Sequence, residues 1–264
     1  PLVASLVLPN DPQYDKVIFY GLEEANYPFS EVDSVVPFPR EVTNCPVCAS
    51  PLHYGKRFFG HLGHYACSAC DYKRPQPTFS ARAVSVKPEG TELNIHNRLT
   101  NETVSLFLPI PGLFNAVNCL AAAAVFLKLG HQADRIEPAL THYQSVFGRA
   151  ERRIIEGKPA LILLIKNPAG ASEVLKMVAG DPQGRLLICI NDNYADGRDV
   201  SWLWDAMFEV IPPDRPVWVS GLRAEDMAVR LLYAGIPQAN IHIEPSIEAA
   251  LQHAVSALPQ GHQL

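Results

Sequence analysis

Four of the six cysteines stand as Cys45-Pro-Val-Cys48 and Cys67-Ser-Ala-Cys70, with 18 residues between the two pairs. No other feature restricts the fold as much. Each Cys-x-x-Cys turn puts two sulfurs on one side of a knuckle, and two facing knuckles complete a tetrahedron around a metal at ~2.3 Å. Two disulfides or a redox pair would use the same residues, but nothing else marks a secreted chain. The spacing therefore predicts a four-thiolate zinc site, built by Cys45, Cys48, Cys67 and Cys70, in a reducing, cytoplasmic compartment. A closed four-thiolate site has no open coordination position, so Zn2+ here is structural. The lobe spanning 40–75 has little else to fold around. Tyr54, Phe58, Phe59 and Tyr65 offer a very small core, so metal supplies much of its stability. His53, His61 and His64 lie between the knuckles and are read as surface residues. Cys119 and Cys189 sit in apolar runs and are read as small buried hydrophobes.

The prolines at 37, 39, 75 and 77 bracket this lobe and mark it as an insertion. On either side the chain reads as α/β. Strands are expected at Val3–Leu8, Lys16–Tyr20, Ala81–Lys87, Glu92–His96 and Thr103–Leu108. A helix rich in Ala and Leu follows over Leu113–Leu129, stopped by Gly130, and a second over Gln132–Tyr143. Beyond a boundary near 147–153 the rhythm becomes strand-then-helix four times. The strands are Ala160–Ile165, Arg185–Ile190, Val217–Ser220 and Asn240–Glu244. The helices are Ala171–Ala179, Val200–Val210, Ala224–Ala234 and Ile247–Ala257. Apolar strands alternating with helices predict a Rossmann-like parallel sheet covered on both faces.

Charge narrows the function classes. Lys plus Arg is 22 against 27 Asp plus Glu, a net charge of −5. That argues against a general nucleic-acid binder, although it leaves room for a local basic patch. No apolar run approaches the ~20 residues of a membrane span, so the chain is not membrane-spanning.

In a parallel sheet, ligands meet the carboxyl ends of the strands. Two such ends stand out. Lys166-Asn167-Pro-Ala-Gly170 puts a cation and free N–H groups at a helix start, which suits a phosphate or carboxylate. A plain strand–turn–helix junction explains the same residues. The second end, Asn191-Asp-Asn-Tyr-Ala-Asp-Gly-Arg-Asp199, holds three carboxylates. Asp192 is at the strand tip and Asp199 is a natural helix cap. Solvated turn acids are the competing explanation. The ends at Ser220–Arg223 and Glu244–Ser246 read as ordinary connections. Trp202 and Trp204, two apart on a helix, point about 200° apart and cannot share one core.

Taken together, these motifs resemble the Mur ligase family. Gly112-Leu-Phe-Asn115-Ala-Val-Asn118-Cys-Leu-Ala-Ala is similar to the helix of the family's central domain. Phe147-Gly-Arg149-Ala-Glu151-Arg resembles the passage into its C-terminal domain. The inserted cysteine ribbon, Lys166–Gly170 and Asp192–Asp205 resemble the MurT branch. The resemblance implies a partial Mur ligase central domain over 1–146, with the ribbon 40–75 inserted, then a C-terminal domain over 147–264. It implies ATP and Mg2+ as cofactors of the full-length protein. It also implies a GatD-like glutaminase as heterodimer partner, lipid II at the membrane surface as substrate, and no nucleic acid. The reaction would be amidation of the D-glutamate α-carboxyl of the stem peptide to D-isoglutamine. Asn115, Asn118 and Arg149 would contact nucleotide, and Lys166 and Asn167 phosphate or substrate. An aspartate would complete a Cys-His-Asp triad with the glutaminase, with Asp192 first, then Asp199, then Asp196. The family's phosphate-binding Gly-Lys-Thr loop is absent, which implies a piece of a longer protein whose loop lies upstream of Pro1. The alternative is a non-catalytic zinc-ribbon protein that only binds a partner.

Overall fold

A computed structural model describes residues 1–26, 42–87, 89–141, 143 and 149–264. The prolines at 37 and 39, residues 40–41 at the start of the ribbon, and Phe147-Gly148 of the domain passage lie outside the described residues. The described residues form two compact units, one built from 1–26 and 42–143 and the other from 149–264.

The first unit is organised by an amphipathic sheet. Strands β1 (Tyr20–Leu22) and β2 (Ala25–Asn26) both run parallel to β5 (Phe79–Lys87). Strand β5 continues antiparallel into β6 (Gly90–Asn97) and β7 (Glu102–Leu108). Side chains two apart share a face. Phe79, Ala81, Leu93, Ile95, Leu106 and Leu108 make one buried apolar face. Ser80, Arg82, Asn94 and His96 take the other. Helix α1 (Leu113–Lys128) lies against β1, β5 and β6 and buries Leu113, Ala116, Leu120, Ala123 and Ala124. It begins at Gly112, whose φ of +118° and a Phe114 ring 2.9 Å from any added Cβ both demand glycine. Gly130 ends it in the left-handed region, as the sequence predicts. The second helix is shorter than expected: a 3-10 turn at Ala133–Arg135 leads into α2 (Ile136–Thr141).

The ribbon is a hairpin of β3 (Leu52–Phe59) and β4 (Leu62–Cys67). Its small core is Val42, Cys45, Leu52, Tyr65 and Tyr72, with Tyr54 and Leu8 packed against it. Tyr72 joins Tyr65 in the centre, and its hydroxyl donates to the Pro1 carbonyl. The start of the chain differs from expectation. Val3–Leu8 contains a 3-10 turn at Ala4–Leu6, a second turn covers Tyr14–Lys16, and the strand begins only at Tyr20.

The second unit has a parallel sheet in the order β10 (Leu186–Cys189), β11 (Val217–Ser220), β12 (Ile241–Ile243). Helices α3 (Pro168–Ala179), α4 (Ala224–Tyr233) and α5 (Ile247–Ser256) belong to this unit, and α4 and α5 lie against its strands. The fourth expected parallel strand is instead part of a hairpin. Strands β8 (Arg149–Ile155) and β9 (Lys158–Leu163) pair antiparallel through a Glu156-Gly157 turn with both φ positive. Lys158 extends to the far end of α5, where its ammonium donates to the carbonyls of Val255 and Leu258 at 2.7 and 2.9 Å. These are orphan acceptors at a helix C-terminus, and a cation suits the dipole there.

The expected helix over 200–210 is two 3-10 segments, Ser201–Asp205 and Phe208–Val210. The buried guanidinium of Arg230 on α4 takes the carbonyls of Leu203 and Ala206 at 2.9 and 2.7 Å. Glu209 accepts from the same guanidinium at 2.7 Å. The Ser172 hydroxyl on α3 accepts from the Met207 N–H at 3.1 Å. Side chains from two helices thus fix the segment beneath the loop that follows β10. Replacing Arg230 with Met strands these acceptors, and a loss of about 3 kcal/mol is expected in urea unfolding.

Candidate functional site

The carboxyl edge of the β10–β11–β12 sheet is assembled by one close crossing. After β11 the chain turns at Gly221, with φ +90°. An added Cβ would fall 2.6 Å from the Ile190 carbonyl oxygen and 2.7 Å from Asn191 Oδ1. In that space the Arg223 N–H donates to the Ile190 carbonyl at 3.0 Å, and the Leu222 N–H donates to Asn191 Oδ1 at 2.9 Å. Arg223 is thereby aimed at the tip of β10. Its Nη1 donates to Asp192 at 3.2 Å and its Nε to Asp226 at 2.7 Å. Asp226 and Asp192 together raise the guanidinium pKa above its ordinary value. The sequence reads Ser220–Arg223 as an ordinary connection; in the structure it anchors Asp192 instead. The Gly in that turn was the signal.

The three aspartates have different environments. Asp192 is half-buried and ion-paired to Arg223. Asp196 is exposed and accepts from Asn193 Nδ2 at 3.2 Å within the turn. Asp199 accepts from the Ser201 N–H at 2.8 Å, and hydrogen bonds from Ser201 hold its carboxyl below the usual range. Asp199 therefore braces the turn one residue ahead of the expected cap position: the 3-10 segment Ser201–Asp205 has Val200 at its start and no side-chain cap. Lys166 reaches the same loop, its Nζ donating to the Ala195 carbonyl at 3.3 Å. Asn167 caps α3 by accepting from the Gly170 N–H at 2.8 Å.

Apolar groups surround this edge. Tyr194 is 91% exposed, and Leu222 and Trp204 are also exposed. Trp204 meets Tyr233 edge-to-face, with ring centroids 5.4 Å apart. Beside it a cavity of about 350 Å3 is lined by Leu203, Trp204, Arg223, Asp226 and Val229. Trp202 packs against the core instead, so the two tryptophans separate as the sequence requires.

Of the proposed nucleotide contacts, Asn115 is buried and its Nδ2 donates to the Pro111 carbonyl at 2.6 Å. Asn118, one turn on, is exposed. Arg149 opens β8, opposite Leu163.

The four ribbon cysteines converge, their sulfurs all within 4.8 Å of one another. Cys48 and Cys67 are 3.4 Å apart and Cys45 and Cys70 3.8 Å. A disulfide needs ~2.05 Å, whereas a tetrahedron with ~2.3 Å metal–sulfur bonds has edges of ~3.8 Å. The Val47 and Ala69 N–H groups donate to Cys45 and Cys67 at 3.4 Å each, the same bond in both knuckles. Hydrogen bonds from the Ser50 backbone and hydroxyl pull the Cys48 thiol down to about 6. Cys70, despite a hydrogen bond from the Tyr72 backbone, is pushed up to about 12 by desolvation and by the neighbouring thiols. Cys48 thus ionises readily, whereas Cys70 holds its proton until a cation offsets the cost. The residues present fit a metal ion. Among the described residues no histidine joins them; His64 faces Glu23 at 3.4 Å. Cys119 is buried, with its thiol raised to about 11 by burial. Cys189 is exposed, contrary to expectation, because it takes the face of β10 opposite the buried Ile188.

Residues 164–263 match the model of the MurT ligase C-terminal family. The lipid II isoglutaminyl synthase (glutamine-hydrolyzing) subunit MurT of Streptococcus pneumoniae is 34% identical over 212 residues, 79% of this chain and 46% of that protein. The subunit of the same name from Staphylococcus aureus is 33% identical over 240 residues, 89% of this chain and 51% of that protein. This chain is a relative of MurT. It spans about half the length of the MurT proteins it matches. A pseudomurein peptide ligase type C from Methanothermus fervidus shares the fold with a TM-score of 0.68 at 23% identity, over 100% of this chain and 51% of its own. MurF from Acinetobacter baumannii aligns with a TM-score of 0.55 at 16% identity, over 72% and 41%. The fold is Mur ligase-like α/β, with mixed and parallel sheets and a cysteine cluster.

Two outcomes are expected. One equivalent of Co2+ should give the absorption of tetrahedral thiolate coordination, and Cys45→Ser should abolish it; a wild-type spectrum without that band removes the metal site. Gly221→Ala should cost about 2 kcal/mol in thermal unfolding, since both its φ and the Ile190 carbonyl oppose a Cβ.

Proposed function

We propose that this chain is part of the ligase-like subunit of a lipid II isoglutaminyl synthase. The observation that carries this reading is Asp192, fixed by Arg223 at an exposed strand tip in a domain that matches the MurT C-terminal family. Among the described residues, Asp192 is ion-paired to Arg223 and meets no histidine or cysteine. A carboxylate so placed is suited to orient an imidazole from another protein, as the aspartate of a hydrolytic triad does. The rim of Tyr194, Leu222 and Trp204 offers apolar surface to that protein, a GatD-like glutaminase.

The reaction we assign is ATP-dependent amidation. A carboxylate is a poor electrophile. Transfer of a phosphoryl group to the D-glutamate α-carboxyl of the lipid II stem peptide creates a good leaving group, which ammonia from glutamine then displaces. Mg2+, when bound with ATP, supplies charge to the transferring phosphoryl group. Among this chain's residues, Asn118 is the better candidate for adenine, because the Asn115 amide is already given to Pro111. We assign Arg149 to the nucleotide, and Lys166 and Asn167 to phosphate or substrate. Zinc is the metal we assign to Cys45, Cys48, Cys67 and Cys70, as a structural ion. Among the described residues no helix is long and apolar enough to cross a membrane. In this reading the chain works on the cytoplasmic side and meets lipid II at the membrane surface.

The test separates the two half-reactions. In the full-length subunit assembled with its glutaminase, Asp192→Asn should lower glutamine-dependent amidation at least about 100-fold while ammonia-dependent amidation stays within about twofold. Equal loss with both donors would put Asp192 in the synthetase half instead. Full activity would move the triad role to Asp199 or Asp196.

A further inference from the structure

The polar face of the first unit's sheet does not meet bulk water alone. The ribbon hairpin stands over it, tied down by Arg74, whose guanidinium donates to the Leu22 carbonyl at 2.8 Å and to Glu23 at 2.9 Å. Between ribbon and sheet an open cavity of about 620 Å3 remains. The ribbon wall brings His53, His64 and Lys73, and the sheet wall Arg82, His96 and Arg98.

The charge of this cavity opposes that of the chain. Lys73, Arg74, Arg82 and Arg98 line it against the single carboxylate of Glu23, within a chain of net charge −5. Glu23 is already engaged by Arg74, and it faces His64 as well. Arg98 spends only its Nε, on the Pro77 carbonyl at 3.4 Å. His96 uses Nδ1 with Thr103 at 3.2 Å, which leaves Nε2 for a ligand. Among the described residues, no hydrogen bond or ion pair holds the side chains of Lys73 or Arg82. His64 Nε2 is buried without a hydrogen bond. Like-charged side chains gathered from two walls with one carboxylate between them repel, and an anion relieves that repulsion. The backbone beside Arg82 is also unusual. Ala83 has φ +50°, and the β5–β6 register shifts between Arg82 and Ser85. A bulge of this kind re-aims a side chain.

We propose that this cavity binds a diphosphate group. A single phosphate fills little of it, whereas two linked phosphates can meet Lys73 on one wall and Arg82 and Arg98 on the other. Arginine forks and a lysine ammonium are the donors such oxygens take. A soluble nucleoside diphosphate and a diphosphate-linked lipid both present this chemistry. The proposal does not depend on the amidation reading.

The test uses the full-length, metal-loaded protein with its nucleotide site saturated by a non-hydrolysable ATP analogue, so that inorganic pyrophosphate has only other sites to occupy. Calorimetric titration should show one pyrophosphate bound, weakened about tenfold or more by Lys73→Ala and by Arg82→Ala, and weakened by salt. Arg82→Lys should recover part of the affinity. Lys87→Ala, on the same strand but paired with Glu92, should leave it unchanged. Metal content and melting temperature of each variant report on folding. Uridine diphosphate in solution and farnesyl diphosphate in phosphatidylcholine vesicles then distinguish the two sources; tighter binding of either supports the site and names its ligand class. Failure of pyrophosphate to bind, or equal binding by folded Arg82→Ala, would overturn the proposal. Turnover is not read, so a failed amidation assay leaves this result standing.

Discussion

The strand tips of the second unit depend on one missing side chain. Because residue 221 has no Cβ, the backbone after β11 can lie against the end of β10 and exchange hydrogen bonds with Ile190 and Asn191. Everything useful at that edge follows. Arg223 arrives at a fixed position, and Asp192 becomes a held carboxylate rather than a wandering one. A site built on crossed strand ends is stiffer than one built on a free loop. The rest of the 192–199 turn satisfies itself internally, through Asn193 with Asp196 and Asp199 with Ser201.

The ribbon follows a different logic, in which a metal-ready cluster supplements a very small hydrophobic core. Three tyrosines and a few aliphatic groups cannot stabilise a hairpin of this length by burial alone. The cysteine sulfurs bring the knuckles together, and Arg74 couples the resulting lobe to β1. The ribbon turns one polar sheet face into a walled cavity.

The sequence made some of this legible. Cysteine spacing located the cluster, and Gly130 marked the end of α1 because caps are local chemistry. The strands β10, β11 and β12 were readable as apolar runs. The segment 201–210 was not. Its pattern is helical, but the Arg230 guanidinium takes the carbonyls of Leu203 and Ala206, a tertiary contact that no local pattern shows. The β8–β9 hairpin was hidden by the charged run Glu151-Arg-Arg153, although Glu156-Gly157 is a recognisable two-residue turn. Arg223 was passed over because its partner lies on another strand. The basic cavity was invisible for a similar reason, since its lining comes from separate stretches between residues 23 and 98.

The placement of the ribbon has a kinetic consequence. It lies between β2 and β5, two strands that are neighbours and parallel in the sheet. Pairing them first requires a long connection to close. Once metal binds, Thr43 and Arg74 are each bonded into the hairpin, to Leu52 and Tyr65, and the ribbon becomes a rigid shortcut. The length of chain to be closed falls from roughly fifty residues to roughly twenty, which lowers the closure entropy by about 1 kcal/mol. If this closure limits the rate, metal availability sets how fast the first unit's sheet assembles as well as how stable the ribbon is.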